Sequence, residues 1–268
     1  MKTEIRLCHL YPDLLNLYGD RGNILALQRR AEWRGIPFST TGASLGDAFD
    51  PGAYNLVFLG GGQDAEQNIL RQDFVEKKGG DIKKAVEAGV VFLCVCGGYQ
   101  MMGKYYEEHD GRRLDCLGAI NVWTIGRKER FIGNTSYSCD LLPENKKDLY
   151  GFENHSGRTY LGENVRPLAT VTEGAGNNGE DKTEGAVYKN VYCTYSHGSF
   201  LPKNPAMTDF LLEKAIRADI LREMSKSGKS DAAGRFTSEK EFSLSPLPDD
   251  VEEIARKTSP AYKSLIDR

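Results

Sequence analysis

The sequence lacks any apolar run that approaches the roughly 20 residues needed to cross a bilayer. Its first residues, MKTEIRLCHLYPD, also lack the apolar core of a secretory signal. We therefore expect a cytoplasmic protein. Paired CxxC spacing is missing as well, since the six cysteines (Cys8, Cys94, Cys96, Cys116, Cys139 and Cys193) are scattered over 268 residues. Neither a disulfide framework nor a structural zinc site is indicated, and most of these thiols are predicted to be reduced and buried.

A large excess of one charge is also missing. The chain has 35 lysines and arginines against 38 aspartates and glutamates, which leaves a formal net charge of -3. This balance gives no sign of binding to nucleic acid or to an anionic membrane, so a small molecule or a protein is the better expected partner. The phosphate-binding motif GxxxxGK followed by Ser or Thr does not occur. Any ATP-dependent step is therefore expected on another protein.

Three short runs predict strands: residues 4–10 alternate polar and apolar residues as a half-buried strand does, and residues 55–60 and 90–95 are apolar. A helical pattern follows each of them, at residues 24–33, at 64–78 with 81–88, and at 96–108. Strands that alternate with helices predict an α/β fold with a mostly parallel, doubly wound central sheet flanked by helices. Ligands of such folds gather at the carboxyl ends of the strands.

The second half of the chain has a different pattern. Short β-rich runs divided by Gly and Asn turns fill residues 113–198 and predict further strands of the same domain. Residues 205–224 predict an amphipathic helix, and one weaker helix is predicted in the last thirty residues. We therefore assign residues 1–224 to one domain and residues 225–268 to a C-terminal extension that is partly helical or disordered.

Cys96 lies between the apolar run at 90–95 and a helical pattern that opens with Gly97 and Gly98. A nucleophile at such a strand-to-helix elbow projects from the sheet edge, and the helix N-terminus favours its thiolate. The N–H of Gly97 is one predicted oxyanion donor, and the N–H of Gly61, at the end of a neighbouring strand, is the other. The alternative is a buried thiol with a packing role, which is our interpretation of Cys94 inside the strand.

A cysteine nucleophile requires a base, and the sequence has four histidines. His197 follows the strand-like run VYCTYS and precedes a glycine, so it too can lie at the carboxyl end of a strand. The alternative for His197 is a turn histidine with a satisfied hydrogen bond. His109 lies in the charged stretch EEHDGRR and is expected to be solvated, whereas His9 is expected to be structural.

Several strings of the sequence together resemble a known family. They are VCGGYQMMG around Cys96, TYSHG around His197, LYPDLLNLYGDRGNILALQRRAEWRGI near the start, LGGGQDAEQ at 59–67, RFIGN at 130–134, GFENHSGRTYLG at 151–162, GNNGEDKTEGAVYKN at 176–190 and HGSFLPKNP at 197–205. They resemble class I glutamine amidotransferases of the cobyric-acid-synthase-like branch, and most closely the GatD-type glutaminase subunits of lipid II isoglutaminyl synthases. The match runs from residue 4 to about residue 217.

The resemblance implies a Rossmann-like, flavodoxin-like amidotransferase domain in which Cys96 is the nucleophile and His197 its base. It also implies that Arg130 holds the glutamine substrate, since a planar guanidinium grips an α-carboxylate through two hydrogen bonds. For GFENHSGR it implies a loop at the rim of the active site. The alternative, which we favour, is a hydrogen-bonded turn in which Asn154 and His155 only fix the shape of the chain.

The sequence departs from the wider superfamily at the third member of the catalytic triad. An acid usually stands two residues after the histidine, but here Gly198 and Ser199 follow it. The candidate orienting acids are Asp20 and Glu153 of this chain, or an aspartate of the partner subunit as the resemblance implies. A chain without its orienting acid is expected to be a slow enzyme on its own.

The same resemblance implies that ammonia released from glutamine passes to a Mur-ligase-like, MurT-type partner in a heterodimer. That partner would amidate the α-carboxylate of D-glutamate in the lipid II stem peptide. No metal or organic cofactor is expected in this chain, while ATP and Mg²⁺ are expected on the partner. Three alternatives remain open: a cobyric-acid-synthase-type amidotransferase, a cysteine hydrolase of another amide or ester, and a non-enzymatic flavodoxin-like binding module.

Overall fold

The computed structural model describes residues 4–16, 19–62, 70–226 and 242–257. The strands in these ranges are β1 (Ile5–Leu10), β2 (Phe38–Ala43), β3 (Leu56–Leu59), β4 (Val91–Val95), β5 (Tyr105–Glu107), β6 (Arg113–Asp115), β7 (Val122–Ser138), β8 (Asp148–Leu161), β9 (Ala169–Glu173), β10 (Thr183–Glu184), β11 (Ala186–Tyr188) and β12 (Val191–Thr194). The α-helices are α1 (Arg21–Glu32), α2 (Gly79–Glu87), α3 (Gly97–Met102), α4 (Pro205–Lys226) and α5 (Asp250–Lys257). A π-helical turn occurs at Asp73–Lys77, and 3-10 turns occur at Glu144–Lys146 and Leu201–Lys203.

The central sheet contains six of the described strands in the order β11-β12-β4-β3-β1-β2. Neighbouring strands are parallel, except that β11 runs antiparallel to β12. Every residue of β3 and β4 is buried, as the apolar strands of a parallel sheet covered on both faces must be. The predicted α/β fold with a mostly parallel sheet is confirmed. Its carboxyl edge brings together the loops that follow β1, β3, β4 and β12.

Most of the β-rich second half forms a separate sheet. The long strands β7 and β8 pair antiparallel, and the other strands follow in the order β10-β9-β7-β5-β6. Only β11 and β12 join the central sheet. The two sheets meet where His197, just beyond β12, donates its backbone N–H to the carbonyl oxygen of Phe152 in β8 at 2.7 Å. The sequence predicted these strands but not their pairing, because alternation of polar and apolar residues shows that a strand exists and not which strand lies beside it.

Two local predictions are wrong. The helix after Cys96 ends at Met102 rather than at residue 108, since Gly103 is extended and Tyr105–Glu107 forms β5. A Cβ at Gly103 would lie 2.8 Å from Cγ2 of Val122, so the chain passes there too close to β7 for a larger residue. The GFENHSGR segment is not a loop or turn but part of β8. Of the predicted helix at 64–78, residues 64–69 lie outside the described part of the chain.

The predicted helix at 205–224 is confirmed as α4, and the weak C-terminal helix corresponds to α5. Residues 242–249 lead to α5 and are tied to the domain. Arg30 of α1 donates Nε and Nη2 to the carboxylate of Asp209 in α4 at 2.6 and 2.7 Å, and Nη1 to Asp249 at 2.7 Å. The remainder of the predicted extension, residues 227–241 and 258–268, lies outside the described residues. Among the helices that the structure describes, none has the length and apolar character of a membrane span.

A buried ion pair holds the loops that follow β1 and β2. The carboxylate of Asp73 accepts hydrogen bonds from Nζ of Lys78, from the hydroxyl of Tyr11 at 2.9 Å and from the N–H of Gly46 at 3.2 Å. Lys78 also donates to the carbonyl oxygen of Ser44 at 3.0 Å. The Asp73 and Lys78 side chains are 6% and 3% exposed. This ion pair therefore fixes the start of the loop between β1 and α1, which carries Asp20 at its other end.

Candidate active site

Cys96 stands alone between β4 and α3, in a backbone conformation that L-residues rarely adopt. Its φ is 47° and its ψ is -104°, and its N–H donates to the carbonyl oxygen of Thr194 at 2.9 Å. Such strain persists only where the surroundings hold it, and it is common at catalytic positions. The residue is 9% exposed, so its side chain is largely shielded from solvent.

Two glycine turns meet at this cysteine. The N–H of Gly98 donates to the carbonyl oxygen of Gly60 at 3.1 Å, which joins the start of α3 to the end of β3. A Cβ at Gly61 would lie 2.7 Å from Cε1 of His197 and 3.5 Å from Cβ of Cys96. The turn after β3 thus touches both the predicted nucleophile and the predicted base, and only a glycine leaves room for the imidazole.

His197 is buried beside Cys96 at the end of β12. Burial by itself lowers the pKa of His197, but the negative charge of the Cys96 thiolate, its hydrogen bond to the ring, and Asp20 together raise that pKa to about 10. A negative charge on Cys96 therefore favours the protonated form of His197 in this arrangement. Cysteine proteases and related acyl-transfer enzymes activate a thiol in the same way.

Asp20 lies on the other side of the imidazole. Its Oδ1 is 3.6 Å from Nδ1 of His197, and its Oδ2 accepts the N–H of Gly61 at 2.7 Å. The side chain is fully buried. Glu153, the other candidate orienting acid, accepts the N–H groups of Ala175 and Gly176 at 2.9 and 3.1 Å. The structure therefore places Asp20 beside His197, the predicted base, whereas Glu153 binds the backbone of a different loop.

The hydrogen bond to Asp20 bears on the predicted oxyanion donors. In this conformation the N–H of Gly61 is already bound to Asp20, so Gly61 cannot donate to an oxyanion until that bond opens. The N–H of Gly97 lies in the first turn of α3, where backbone donors have no acceptor within the helix. Of the two predicted donors, only Gly97 therefore has an N–H that is available to an oxyanion in this conformation.

The loop after His197 holds Asp20 in place. Ser199 donates its hydroxyl to the carbonyl oxygen of Gly19 at 2.5 Å, and the N–H of Leu201 donates to Oδ1 of Asn23 at 2.8 Å. A Cβ at Gly22 would lie 2.1 Å from Oγ of Ser199, so the loop packs directly on the first turn of α1. Asp20 and His197 are therefore positioned by one tightly packed junction of two loops.

Replacing Asp20 by asparagine should slow glutamine hydrolysis because the amide cannot stabilise the imidazolium. We expect kcat/KM to fall roughly 10- to 1,000-fold, less than the effect of losing the nucleophile. The pKa of His197, followed by NMR of its ring protons, should also fall. Asp13→Asn, an exposed position on the same loop, is the matched control and should change neither quantity. An unchanged rate and an unchanged His197 pKa in Asp20→Asn would assign the orienting role to another residue.

Arg130 lies on the exposed side of the β7–β8 hairpin, where the pairing is irregular between Gly126 and Phe131. Its Nε and Nη2 donate to Oδ1 of Asn154 at 3.0 and 2.8 Å, and Nη2 also donates to the carbonyl oxygen of Asn154 at 3.0 Å. Its charge reaches His155, whose pKa it helps to lower. Asn154 thus holds the guanidinium on the exposed side of the hairpin.

His155 lies closer to the candidate active site than the sequence suggested. Its ring stacks on Tyr195 at a centroid distance of 3.7 Å, and its Nδ1 lies 2.8 Å from the carbonyl oxygen of Gly157. Burial lowers the pKa of His155 to about 3, and the charges of Arg158, His197 and Arg130 act in the same direction. The ring is therefore neutral, with its proton on Nδ1. The alternation of side chains along β8 predicts that His155 is buried with Glu153, but this can be used only once the segment is known to be a strand.

The remaining candidates from the sequence lie elsewhere. His109 is exposed, and His9 is buried in β1 with its ring 5.3 Å from that of Phe58. Cys94 is fully buried within β4, in agreement with a core thiol. The six cysteines are all free thiols, and only Cys116 is more than slightly exposed.

The chain matches the family model of the CobB/CobQ-like glutamine amidotransferase domain over residues 6–205. It is 40% identical over 215 residues to the lipid II isoglutaminyl synthase (glutamine-hydrolyzing) subunit GatD of Streptococcus pneumoniae, which covers 80% of this chain and 81% of that protein. The cobyric acid synthase of Chlorobium chlorochromatii is 30% identical over 172 residues, 61% of this chain and 32% of that protein. A chain of PurLQS from Thermotoga maritima is similar in fold, with a TM-score of 0.52 at 18% identity over 84% of this chain and 100% of that chain.

Proposed function

Because the chain belongs to the CobB/CobQ-like glutamine amidotransferase family, we propose that it is the glutaminase subunit of a lipid II isoglutaminyl synthase. The observation that carries the proposal is the contact between Cys96 and His197 at the carboxyl edge of the central sheet. It is supported by the 40% identity to a GatD subunit over four-fifths of both chains.

The proposed reaction is hydrolysis of L-glutamine to glutamate and ammonia. The Cys96 thiolate, whose proton His197 has taken, attacks the side-chain amide carbon and forms a tetrahedral oxyanion. The carbon–nitrogen bond then breaks, and the imidazolium returns its proton to the leaving nitrogen, so that ammonia departs. Water attacks the resulting thioester with His197 as its base. The products are glutamate and the free thiol.

The oxyanion is the charge that this site must stabilise. Gly97 offers one N–H at the start of α3, where the helix dipole also favours a negative charge. For Gly61 to serve as the second donor, Asp20 must release its N–H. A small rotation of the Asp20 side chain toward Nδ1 of His197 would free the N–H of Gly61 and bring the carboxylate closer to the imidazole. The carboxylate already lies 3.6 Å from that nitrogen.

Arg130 is proposed to hold the α-carboxylate of glutamine. Supporting this role, the positive charge of Arg130 acts on His155, and so do the charges of Arg158 and His197. A carboxylate is favoured in such a place. Asn154 already holds the guanidinium of Arg130 in one orientation, so the side chain loses less conformational freedom when the substrate binds.

The ammonia is proposed to pass to a Mur-ligase-like, MurT-type partner in a cytoplasmic heterodimer. On that partner, ATP and Mg²⁺ would activate the α-carboxylate of D-glutamate in the lipid II stem peptide before amidation. The support is that the Streptococcus pneumoniae relative is a subunit of a lipid II isoglutaminyl synthase, which implies a second subunit. A cobyric-acid-synthase role is less well supported, since the chain matches only 32% of that longer relative.

The test is glutamate release from glutamine by the purified chain, alone and with the Mur-ligase-like protein of the same source. We expect activity that rises with the partner and that disappears in Cys96→Ala. Cys116→Ala, which removes a partly exposed thiol away from the elbow, is the matched control and should keep full activity. Ester turnover without glutamine turnover would instead support a general cysteine hydrolase, and full activity of Cys96→Ala would refute the proposed nucleophile.

A further inference from the structure

A strip of partly or fully exposed residues runs from the middle of β7 across β8 to the loop that follows β12. We call it the docking strip and define it by Ile132, Asn154, Phe152, Gly198 and Lys203. Ile132 pairs with Asn154 across the two strands, so both lie on one face, which Phe152 shares two residues before Asn154. A Cβ at Gly198 would lie 3.9 Å from Cβ of Phe152 and 3.2 Å from Nζ of Lys203. These neighbours therefore form one continuous surface.

The apolar part of the docking strip is open to solvent. Ile132 is 62% exposed, which makes it the most exposed large apolar side chain that the structure describes within residues 4–226. Phe152, on the same face, is half-buried. A single exposed isoleucine is ordinary, but here an aromatic ring on the same face extends the apolar area. Protein interfaces commonly combine such an apolar centre with a polar rim.

Lys203 supplies a positive charge at one end of the strip. The turn that carries it is fixed, because Nδ2 of Asn204 donates to the carbonyl oxygens of Tyr150 at 2.8 Å and of Phe200 at 2.7 Å. Burial lowers the pKa of Lys203, and no carboxylate among the described residues opposes that effect. The ammonium is thus held beside Gly198 without a counter-charge, in a position that an incoming carboxylate would stabilise.

Exposed cations also stand at the other end of the strip. The run that leads to Ile132 in β7 contains Arg127, Lys128 and Arg130 but only one acid, Glu129, and all four are exposed. The whole chain has a formal net charge of -3, so the positive charge here is a local departure from the average surface. Such a surface favours a partner with an acidic contact region, because complementary charges steer association and disfavour other partners.

We propose that the docking strip binds an acidic segment of the ammonia-accepting protein partner, with Ile132 and Phe152 receiving an apolar side chain and Lys203 a neighbouring carboxylate. The inference rests on the proposed function, since a glutaminase subunit is the kind of protein that requires such a partner. Gly198 directly follows His197, the group that returns a proton to the leaving nitrogen. A partner on the strip would therefore lie beside the point at which ammonia is released.

The test measures the Kd between the full chain and the Mur-ligase-like protein of the same source. Both partners are purified, and the Cys96→Ala background is used so that glutamine turnover plays no part. Ile132→Asp places a carboxylate in the apolar centre and should raise the Kd about 10- to 100-fold. Lys203→Gln removes the charge and should raise the Kd about 3- to 10-fold, mainly through slower association. The salt dependence of the Kd should also weaken in Lys203→Gln, because fewer opposite charges are then screened.

Two matched controls make the same chemical changes elsewhere. Leu45→Asp alters an apolar side chain that is 44% exposed just beyond β2, and Lys83→Gln removes an exposed ammonium on α2. Both should keep the parent Kd, and the unfolding midpoint of every variant shows whether its fold is intact. An unchanged Kd in folded Ile132→Asp and Lys203→Gln would overturn the proposal, and so would an equal loss of affinity in the controls.

A second measurement avoids any change of charge. A benzophenone amino acid in place of Ile132 should cross-link to the partner on irradiation, and the linked peptide should contain aspartate or glutamate. The same amino acid in place of Leu45 should not cross-link. Cross-linking from position 45 alone, a linked peptide without an acid, or failure of the parent chain to bind the partner would each overturn the docking strip. Glutamate release by the chain is a separate assay, so failure of the proposed function is distinguished from failure of this inference.

Discussion

Replacing His197 by glutamine should lower kcat/KM for glutamine hydrolysis by about 100- to 10,000-fold. The imidazole is buried beside Cys96 and is proposed to take the thiol proton, and general acid–base catalysis contributes on this scale. Glutamine preserves much of the volume of the side chain, and the bond from residue 197 to Phe152 uses the backbone. The fold should therefore survive. Glutamate release under saturating and subsaturating glutamine separates kcat from KM.

The control for this prediction is His109→Gln, because His109 is exposed on a different part of the surface. It should be indistinguishable from the parent chain. Both variants should give the same far-UV circular dichroism and unfolding midpoint to within a few degrees. If His197→Gln keeps more than a tenth of the parent activity while folding normally, His197 is not the base, and a turn histidine is the better interpretation.

Replacing Lys78 by methionine should be the most destabilising change outside the active site. The variant removes the buried cation of Asp73 and leaves only the exposed Lys77 beside the carboxylate, and breaking a buried ion pair in this way costs about 3–5 kcal/mol. For a chain of this size each kcal/mol lowers the unfolding midpoint by about 2–4 °C, so a fall of about 6–20 °C is expected. Calorimetry or chemical denaturation measures it directly.

Lys77 provides a matched control one residue away. Its Nζ is 3.5 Å from Oδ1 of the same Asp73, but its side chain is 66% exposed. Exposed ion pairs contribute less than about 1 kcal/mol, so Lys77→Met should change the midpoint by only a few degrees. Equal effects of the two substitutions would mean that burial does not decide the strength of the pair. Activity should fall with stability in Lys78→Met, because the pair fixes the start of the loop that carries Asp20.

The strands β3 and β4 of the central sheet were predictable because both are continuously apolar and a helical pattern follows each of them. Residues 55–60 and 90–95 illustrate this, since a fully apolar run of that length has few places in a fold other than a covered strand. The second sheet was not predictable in the same way. β7 and β8 alternate in burial over only parts of their length, and the bulge between Gly126 and Phe131 interrupts the pattern.

The residues of the candidate site were likewise predictable only in part. Cys96 and its glycines follow from a local pattern, a strand that ends at a Cys-Gly-Gly turn, and His197 follows from a second strand end. The choice between Asp20 and Glu153 did not follow, because each is brought to its partner by a contact distant in sequence. The contact of Asp20 with Gly61 spans 41 positions and joins two loops that differ in length and composition. Local patterns carry no information about such a contact.

The ion pairs of Arg30 can form only late in the synthesis of the chain. Arg30 is separated from Asp209 by 179 positions and from Asp249 by 219, yet both carboxylates bind its guanidinium. At a synthesis rate of about 5–20 residues per second, Arg30 precedes Asp249 by about 10–45 s. During that interval a growing chain has no means to bury this charge as the finished protein does. The ion pairs of Arg30 are therefore complete only after residue 249 has left the ribosome.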